Sequence, residues 1–206
     1  MSFRCCANWA DNRWVGDYEI VQDNDPRCAE LEAAGYRVVA ESWAVRLFDP
    51  DRELLESAVL RATAGGLTIR ELGAESAREL HALEKSNEPD YPYTPATHRV
   101  VGELAETRAL WPEHRVFGAF DGNRLVGATV IAEKNGFGDT AFTSVLATHR
   151  RRGVAQAVKA ASILAFLDIG ITRFSTGGAA ANQASLRASQ SLGYQLTEQW
   201  RTYSPE

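Results

Sequence analysis

Apolar positions recur along this chain in two rhythms, a two-residue alternation that marks strands and a three-to-four-residue spacing that marks helices. From residue 67 onward the order is regular. Residues 67–72 (LTIREL) read as a short strand, and residues 76–86 as a helix with Ala77, Leu80 and Leu83 on one face. Residues 88–95 hold three prolines and form an irregular loop, because proline lacks the amide that regular structure uses. The helical spacing returns over 97–110. Residues 114–120 and 124–132 alternate as strands around the turn Asp121-Gly122-Asn123, a hairpin. A β-prone run covers 140–146, and a helix with Val154, Val158, Ala161, Ala165 and Ile169 facing inward covers 153–169. Strand, helix and strand follow at 171–175, 180–191 and 195–203. This order predicts a mixed α/β (α+β) fold.

The first 63 residues read as an N-terminal extension ahead of a unit spanning 64–206. A short helix over 30–34 stops at Gly35, and residues 36–47 form a strand or a bent pair of strands. A turn at Asp49-Pro50-Asp51, a helix over 52–62 and a linker at Ala64-Gly65-Gly66 complete this part. Ala34-Gly35-Tyr36 with Trp43 echoes Leu192-Gly193-Tyr194 with Trp200. That echo has two readings: a common helix–Gly–strand junction repeated by chance, or a truncated second copy of one fold. In the second reading the strand around 38–47 has a free edge. Packing across a two-fold axis in a homodimer is one remedy.

Composition adds bounds. With 45% hydrophobic and 24% charged residues, the chain can build a core without metal or disulfide staples. Three cysteines, Cys5, Cys6 and Cys28, form neither a paired framework nor a zinc spacing. No apolar run approaches a membrane span and residues 1–14 carry no apolar leader core, so a cytoplasmic protein with no membrane partner is expected. The net charge of −5 disfavours nucleic acid as a partner. Against that acidic background Arg150, Arg151 and Arg152 stand out, and a local cationic site on an acidic protein points to a small anion.

These arginines join an apolar strand to a helix that opens at Gly153-Val154-Ala155. The first amides of a helix have no internal partner and lie at the positive end of its dipole. Phosphate oxygens answer both conditions. Gly153 lets backbone approach a ligand, Ala155 keeps the next turn small, and the arginines add charge-assisted hydrogen bonds. A di- or polyphosphate site is the expectation from physics alone. A solvated basic face or a nucleic-acid patch is the rival reading, and it leaves the strand–turn–helix placement without a purpose. No GxxxxGK(S/T) is present, and no GxGxxG follows a strand.

Arg150-x-x-Gly153-x-Ala155 after an apolar strand resembles the (Q/R)xxGx(G/A) motif of the GNAT acetyltransferase superfamily. The hairpin ending Gly122-Asn123-Arg124-Leu125-Val126-Gly127, and the later run Thr176…Asn182…Ser185…Leu192-Gly193-Tyr194, resemble that family's segments too. The resemblance covers about 135 residues. It implies a mostly antiparallel central sheet flanked by helices, with acetyl-coenzyme A as co-substrate and no metal. It implies that backbone groups of Val145 and Leu146 pair with the pantetheine arm. Arg150 and the amides of Arg151, Arg152, Gly153, Val154 and Ala155 would hold the pyrophosphate. Asn182 and Ser185 would reach the coenzyme from the later helix, with a helix N-cap as the alternative role of Asn182.

The proton chemistry is less visible. Ser189 stands where many members of that family carry a Tyr, and a serine is a weaker donor to the leaving sulfur. Asp139 lies where some members carry a catalytic Glu, with a turn role as its alternative. Glu133 and His149 are weaker candidates, and His149 reads as a surface residue of the turn. No cysteine follows residue 28, so direct transfer is expected, with a backbone amide near Leu146 polarising the thioester. For the acceptor, an amine of a small molecule or a protein, Glu88, Asp90, Tyr91 and Tyr93 could draw a cation, with Glu133 nearby in sequence order and Trp200 and Tyr203 as further lining. A coenzyme-binding module without catalysis is the alternative function.

Overall fold

The computed structural model describes residues 18–205 except Tyr93, His98 and Arg99; Cys5 and Cys6 fall outside the described residues. The chain runs β1 (Glu19–Gln22), α1 (Arg27–Ala33), β2 (Arg37–Phe48), α2 (Arg52–Ala64), β3 (Leu67–Leu72), α3 (Ala77–Asn87) and α4 (Leu104–Arg108). It continues through β4 (Arg115–Asp121), β5 (Arg124–Lys134), β6 (Phe137–Val145), α5 (Val154–Leu167), β7 (Arg173–Ala179), α6 (Gln183–Gln190) and β8 (Gln195–Ser204). The strands form one sheet in the order β1-β8-β2-β7-β6-β5-β4-β3. Every pairing is antiparallel except β6 with β7. The expected mixed, mostly antiparallel architecture is present. Among the described residues no helix is long and apolar enough to cross a membrane.

The N-terminal segment is woven into this sheet. β2 lies between β7 and β8 and is paired to both over most of its length, as one strand with two register shifts rather than two strands. Neither edge of β2 is free, which removes the reason given above for pairing it across a two-fold axis. Trp43 anchors it: the ring is buried and its Nε1 donates to the Ala179 carbonyl at 2.9 Å.

The helix expected over 97–110 shrinks to Leu104–Arg108. The end of α3 holds the preceding stretch in place by other bonds. The Val101 amide donates to Glu88 Oε1 at 2.8 Å, and the Val101 carbonyl accepts from Lys85 Nζ at 2.6 Å. Backbone groups taken up in that way cannot close a helical ladder. Ile169 also departs from expectation. It lies beyond α5 and is exposed, whereas Lys159 on the same helix is buried.

Two features of the sheet create a site. Helix α5 packs on β4, β5 and β6 beside α2. The parallel pair β6 and β7 meets only at Gly138 with Phe174 and Asp139 with Ser175. Beyond Asp139 the two strands part, and β6 runs on to Val145 with one edge unpaired by strand. The gap is a wedge, with its vertex at Asp139 and its mouth at the turn into α5.

Candidate functional site

A cleft of about 640 Å³ occupies the wedge. Its walls are the end of α3 with Asp90 and Tyr91, the open edge of β6, the turn from His149 to Gly153, and the starts of α5 and α6.

The open edge follows from strand geometry. The Leu146 amide donates to the Val126 carbonyl at 2.9 Å, so residues of that parity point toward β5. Thr143 and Val145, one residue out of phase, point into the gap. Their carbonyls are held by side chains: Tyr91 Oη donates to the Thr143 carbonyl at 3.0 Å, and Arg150 Nε donates to the Val145 carbonyl at 3.1 Å. The amides of Thr143 and Val145 are left facing the cleft. Such an edge offers donors to an extended ligand that carries acceptors.

The polar ties behind the edge are dense. Arg150 Nη2 also donates to Asn87 Oδ1 at 3.0 Å and meets Asp90 Oδ2 at 2.7 Å. Asn87 is buried and passes the connection on, with Nδ2 donating to Ser144 Oγ at 2.8 Å. These bonds lock the turn, α3 and β6 together.

The turn itself is built for an anion. Arg151 (φ 61°) and Gly153 (φ 78°) both adopt left-handed conformations. Successive amides then converge in a concave cradle. Space for a ligand exists above Gly153, whose nearest neighbour to an added Cβ would be Gln156 Oε1 at 3.6 Å. No side chain caps α5. The N-terminus of α6, on the opposite wall, is capped by its own Asn182, whose Oδ1 accepts the Ser185 amide at 3.2 Å. Of the two helix ends facing the cleft, α5 is the one with amides to spare.

Several expected residues take these places. Val145, Arg151, Gly153, Val154, Ala155, Asn182 and Ser185 all line the cleft. Others take different ones. Arg150 lines it too, but its guanidinium is spent on Val145, Asn87 and Asp90, so it shapes the edge rather than reaching for phosphate. Arg152 is exposed and outside the cleft wall. The Leu146 amide is bonded to Val126 and so is no donor to a ligand; the amides that face the cleft are those of Thr143 and Val145. Asn182 acts as the helix cap. His149 is buried, with Nε2 3.1 Å from Asp121 Oδ2 and Nδ1 2.9 Å from Thr148 Oγ1, rather than a surface residue.

The expected proton-transfer and acceptor residues also move. Asp139 is buried at the vertex, accepts from Ser175 Oγ at 2.7 Å and lies 3.7 Å from Lys134 Nζ, outside the cleft wall. Burial raises its carboxyl above the usual range, partly offset by the Ser175 hydrogen bond and by Lys134. Ser189 is wholly buried, its hydroxyl has no hydrogen-bond partner, and it is not part of the wall. Glu133 closes the β5–β6 turn, its Oε1 accepting the Gly136 amide at 2.9 Å, and lies away from the cleft. Glu88 and Asp90 are engaged with Val101 and Arg150, and Tyr91 with Thr143. Tyr93 lies outside the described residues. Tyr203 is buried and donates to Glu32 Oε1 at 2.9 Å, far from an acceptor role.

The cleft residue that the sequence reading missed is Lys159. It lines the cleft yet is only 2% exposed. Its ammonium stands 6.0 Å from the centre of the Tyr194 ring, and among the described residues it has no hydrogen-bond or ion-pair partner. Burial lowers its pKa to about 8, against a weak opposing pull from Asp139. Its signal in the sequence was its company: Lys159 is the one charged residue of the largely apolar helix Val154–Leu167. A charged residue on an apolar face is rare enough to be a marker.

Comparison with known proteins agrees with this geometry. Residues 77–194 match the model of the Acetyltransferase (GNAT) family. No curated protein matches. Among solved structures, a GCN5-related N-acetyltransferase from Sphaerobacter thermophilus superposes with a TM-score of 0.67 at 15% identity, over 90% of this chain and 58% of that one. A GCN5-related N-acetyltransferase-like protein from Streptococcus suis gives 0.63 at 16% identity, over 90% of this chain and 70% of that one. A tandem GNAT protein from the clavulanic acid biosynthesis pathway gives 0.62 at 16% identity, over 92% of this chain and 63% of that one. The chain thus spans about three-fifths of the length of the first of these relatives. With its motif, its sheet and more than half its length matched, the chain belongs to the GNAT acetyltransferase family.

Proposed function

We propose that the chain is an N-acyltransferase that moves an acetyl group from acetyl-coenzyme A directly to a primary amine of a small molecule or protein. The observation that carries this is the pairing of an uncapped helix end with an open strand edge in one cleft. The first fits phosphates, and the second fits the amide-bearing arm of coenzyme A. Amides from Arg151 to Ala155, with the Arg151 side chain, would hold the pyrophosphate. Thr143 and Val145 would bond the arm, and Asn182 and Ser185 would flank it. The coenzyme supplies an acyl group activated as a thioester.

The protein's own part is mostly orientation. Arg150 and Tyr91 occupy the edge carbonyls, so the amides present a single register to a ligand. A ligand held in one register presents its reactive carbon in one place, and that positioning lowers the barrier. Binding to nucleic acid is not part of this reading, because Arg150 is engaged within the fold and the net charge is negative. The unpaired Cys28 fits a reducing, cytoplasmic setting, with no membrane partner. A homodimer, if formed, would use a surface other than β2.

Calorimetric titration with acetyl-coenzyme A tests donor binding, and thiol release over a panel of amines tests transfer. Saturable binding with thiol release on at least one amine is the expected result. A coenzyme-binding module without catalysis is favoured by one observation, the withdrawal of Ser189 and Asp139 from the cleft. Binding without release on any amine would establish that module instead. No binding at all would end both readings.

A further inference from the structure

Lys159 has no stated role in the fold or in the donor site as described. Its position along the wedge is informative. The anion cradle at Gly153 marks the mouth, the amides of Val145 and Thr143 mark the edge, and the β6–β7 junction at Asp139 marks the vertex. Lys159 lies on the α5 wall, six residues past Gly153, about 9 Å along the axis at 1.5 Å per residue. Its ammonium stands 6.0 Å from the Tyr194 ring and is acted on by the Asp139 carboxylate, which places it on the vertex side of the cradle.

The charges around it leave the ammonium unanswered. On β6, Asp139 is already held by Ser175 and Lys134. Ahead of β8, Tyr194 offers only its ring, and burial keeps its phenol protonated. Across the cleft, Asp90 is paired with Arg150 and His149 with Asp121, while Arg151 and Arg187 are cations. A buried ammonium without a counter-ion is costly unless something else supplies the negative charge. Here the charge faces the cleft in which the thioester would lie.

Resting on the donor-site reading above, we propose that Lys159 faces the sulfur of the bound coenzyme and protonates it as the acyl group leaves. In the step, the amine nitrogen of the acceptor bonds to the thioester carbonyl carbon and the C–S bond breaks. The electron pair stays on sulfur, and a proton passes from Nζ to sulfur to give the thiol. The acceptor nitrogen, now an amide, sheds its extra proton to solvent, and Nζ is recharged from solvent. No oxidant or further reactant is needed. The lowered Lys159 pKa of about 8 brings the donor close to that of an ordinary thiol, about 8.5, which is the condition for easy proton transfer between them.

The test needs no acceptor. Free coenzyme A is bound to the protein, and its thiol is titrated by the ultraviolet absorbance of the thiolate. An ammonium beside the sulfur stabilises the thiolate, so the midpoint should fall at least about one pH unit below that of unbound coenzyme. Lys159→Met should abolish the fall and Lys159→Arg, which keeps the charge, should retain most of it. Coenzyme bound with an unshifted midpoint in the wild-type protein overturns the proposal and leaves the donor-site reading intact. Failure of the wild-type protein to bind coenzyme A overturns the donor-site reading itself. The wild-type measurement stands alone should either variant fail to fold.

Discussion

Two stretches of this chain share one local design and come to different ends. Helix α1 leads through Gly35 and Tyr36 into β2; helix α6 leads through Gly193 and Tyr194 into β8. Both glycines are left-handed, at φ 87° and 94°. Both helices close with the same pair of bonds: Gly35 to Glu32 (3.1 Å) with Tyr36 to Leu31 (3.0 Å), and Gly193 to Gln190 (3.0 Å) with Tyr194 to Ser189 (3.3 Å). This is the Schellman closure, a property of a few neighbouring residues. Yet Tyr36 is half-buried beside the small cluster of Val21, Cys28 and Tyr203, whereas Tyr194 is buried beside Lys159 in the main core. The tryptophans invert that order. Trp43, from the first stretch, is core, and Trp200, from the second, is half-buried and bonded to Glu198 two residues away. Local motif and functional position are thus set by different physics.

The largest expected effect breaks the symmetry at the tryptophans. Trp43→Ala should lose about 3–5 kcal/mol of stability in urea unfolding, and Trp200→Ala about 1 kcal/mol or less. Equal losses would mean that β2 is not the integral strand described.

Next comes the lysine that singles out the second stretch. Lys159→Met should stabilise the protein at pH 7 by up to about 3 kcal/mol, because the folded chain no longer buries an unpaired ammonium. The sign with pH is definite. Between about 8 and 10.5 the unfolded wild-type chain holds a proton that the folded one has released. Wild-type stability should therefore rise across that window, and its deficit against Lys159→Met should close. Unfolding curves taken at pH 7, 9 and 10.5 measure it.

A smaller contrast lies in the two glycines. Gly35→Ala should cost about 1 kcal/mol, the strain of the left-handed conformation alone, since an added Cβ there meets nothing within 4 Å. Gly193→Ala should cost more, because its Cβ would press on Leu47 Cδ1 at 3.3 Å. Thermal unfolding of the pair ranks them.

The smallest effect concerns buried hydroxyls. Tyr194 Oη has no hydrogen-bond partner, so Tyr194→Phe should be neutral or stabilising by about 1 kcal/mol. Tyr203→Phe removes a bond to Glu32 and should destabilise by a similar amount. Opposite signs in the two unfolding midpoints are the outcome to check.

The sequence by itself determined the strand–turn–helix of residues 143–155, the hairpin of β4 and β5, and the closing turns at Gly35 and Gly193. Each depends on residues a few positions apart, whose backbone preferences and hydrogen bonds are decided locally. Tertiary structure alone decided the rest. Residues 97–103 carry a helical spacing, yet Glu88 and Lys85 on a different element hold the Val101 backbone out of a helix. Arg150 carries a phosphate-binding motif, yet Asn87 and Asp90, some sixty residues away, claim its guanidinium. Ser189 and Asp139, expected from the sequence beside the chemistry, are buried away from the cleft. Lys159 faces the cleft because β6 and β7 part beside it, and no pattern near residue 159 encodes where two other strands separate. Charge and hydrogen-bonding capacity are properties of a residue; their partners, and hence what remains for a ligand, are properties of the fold.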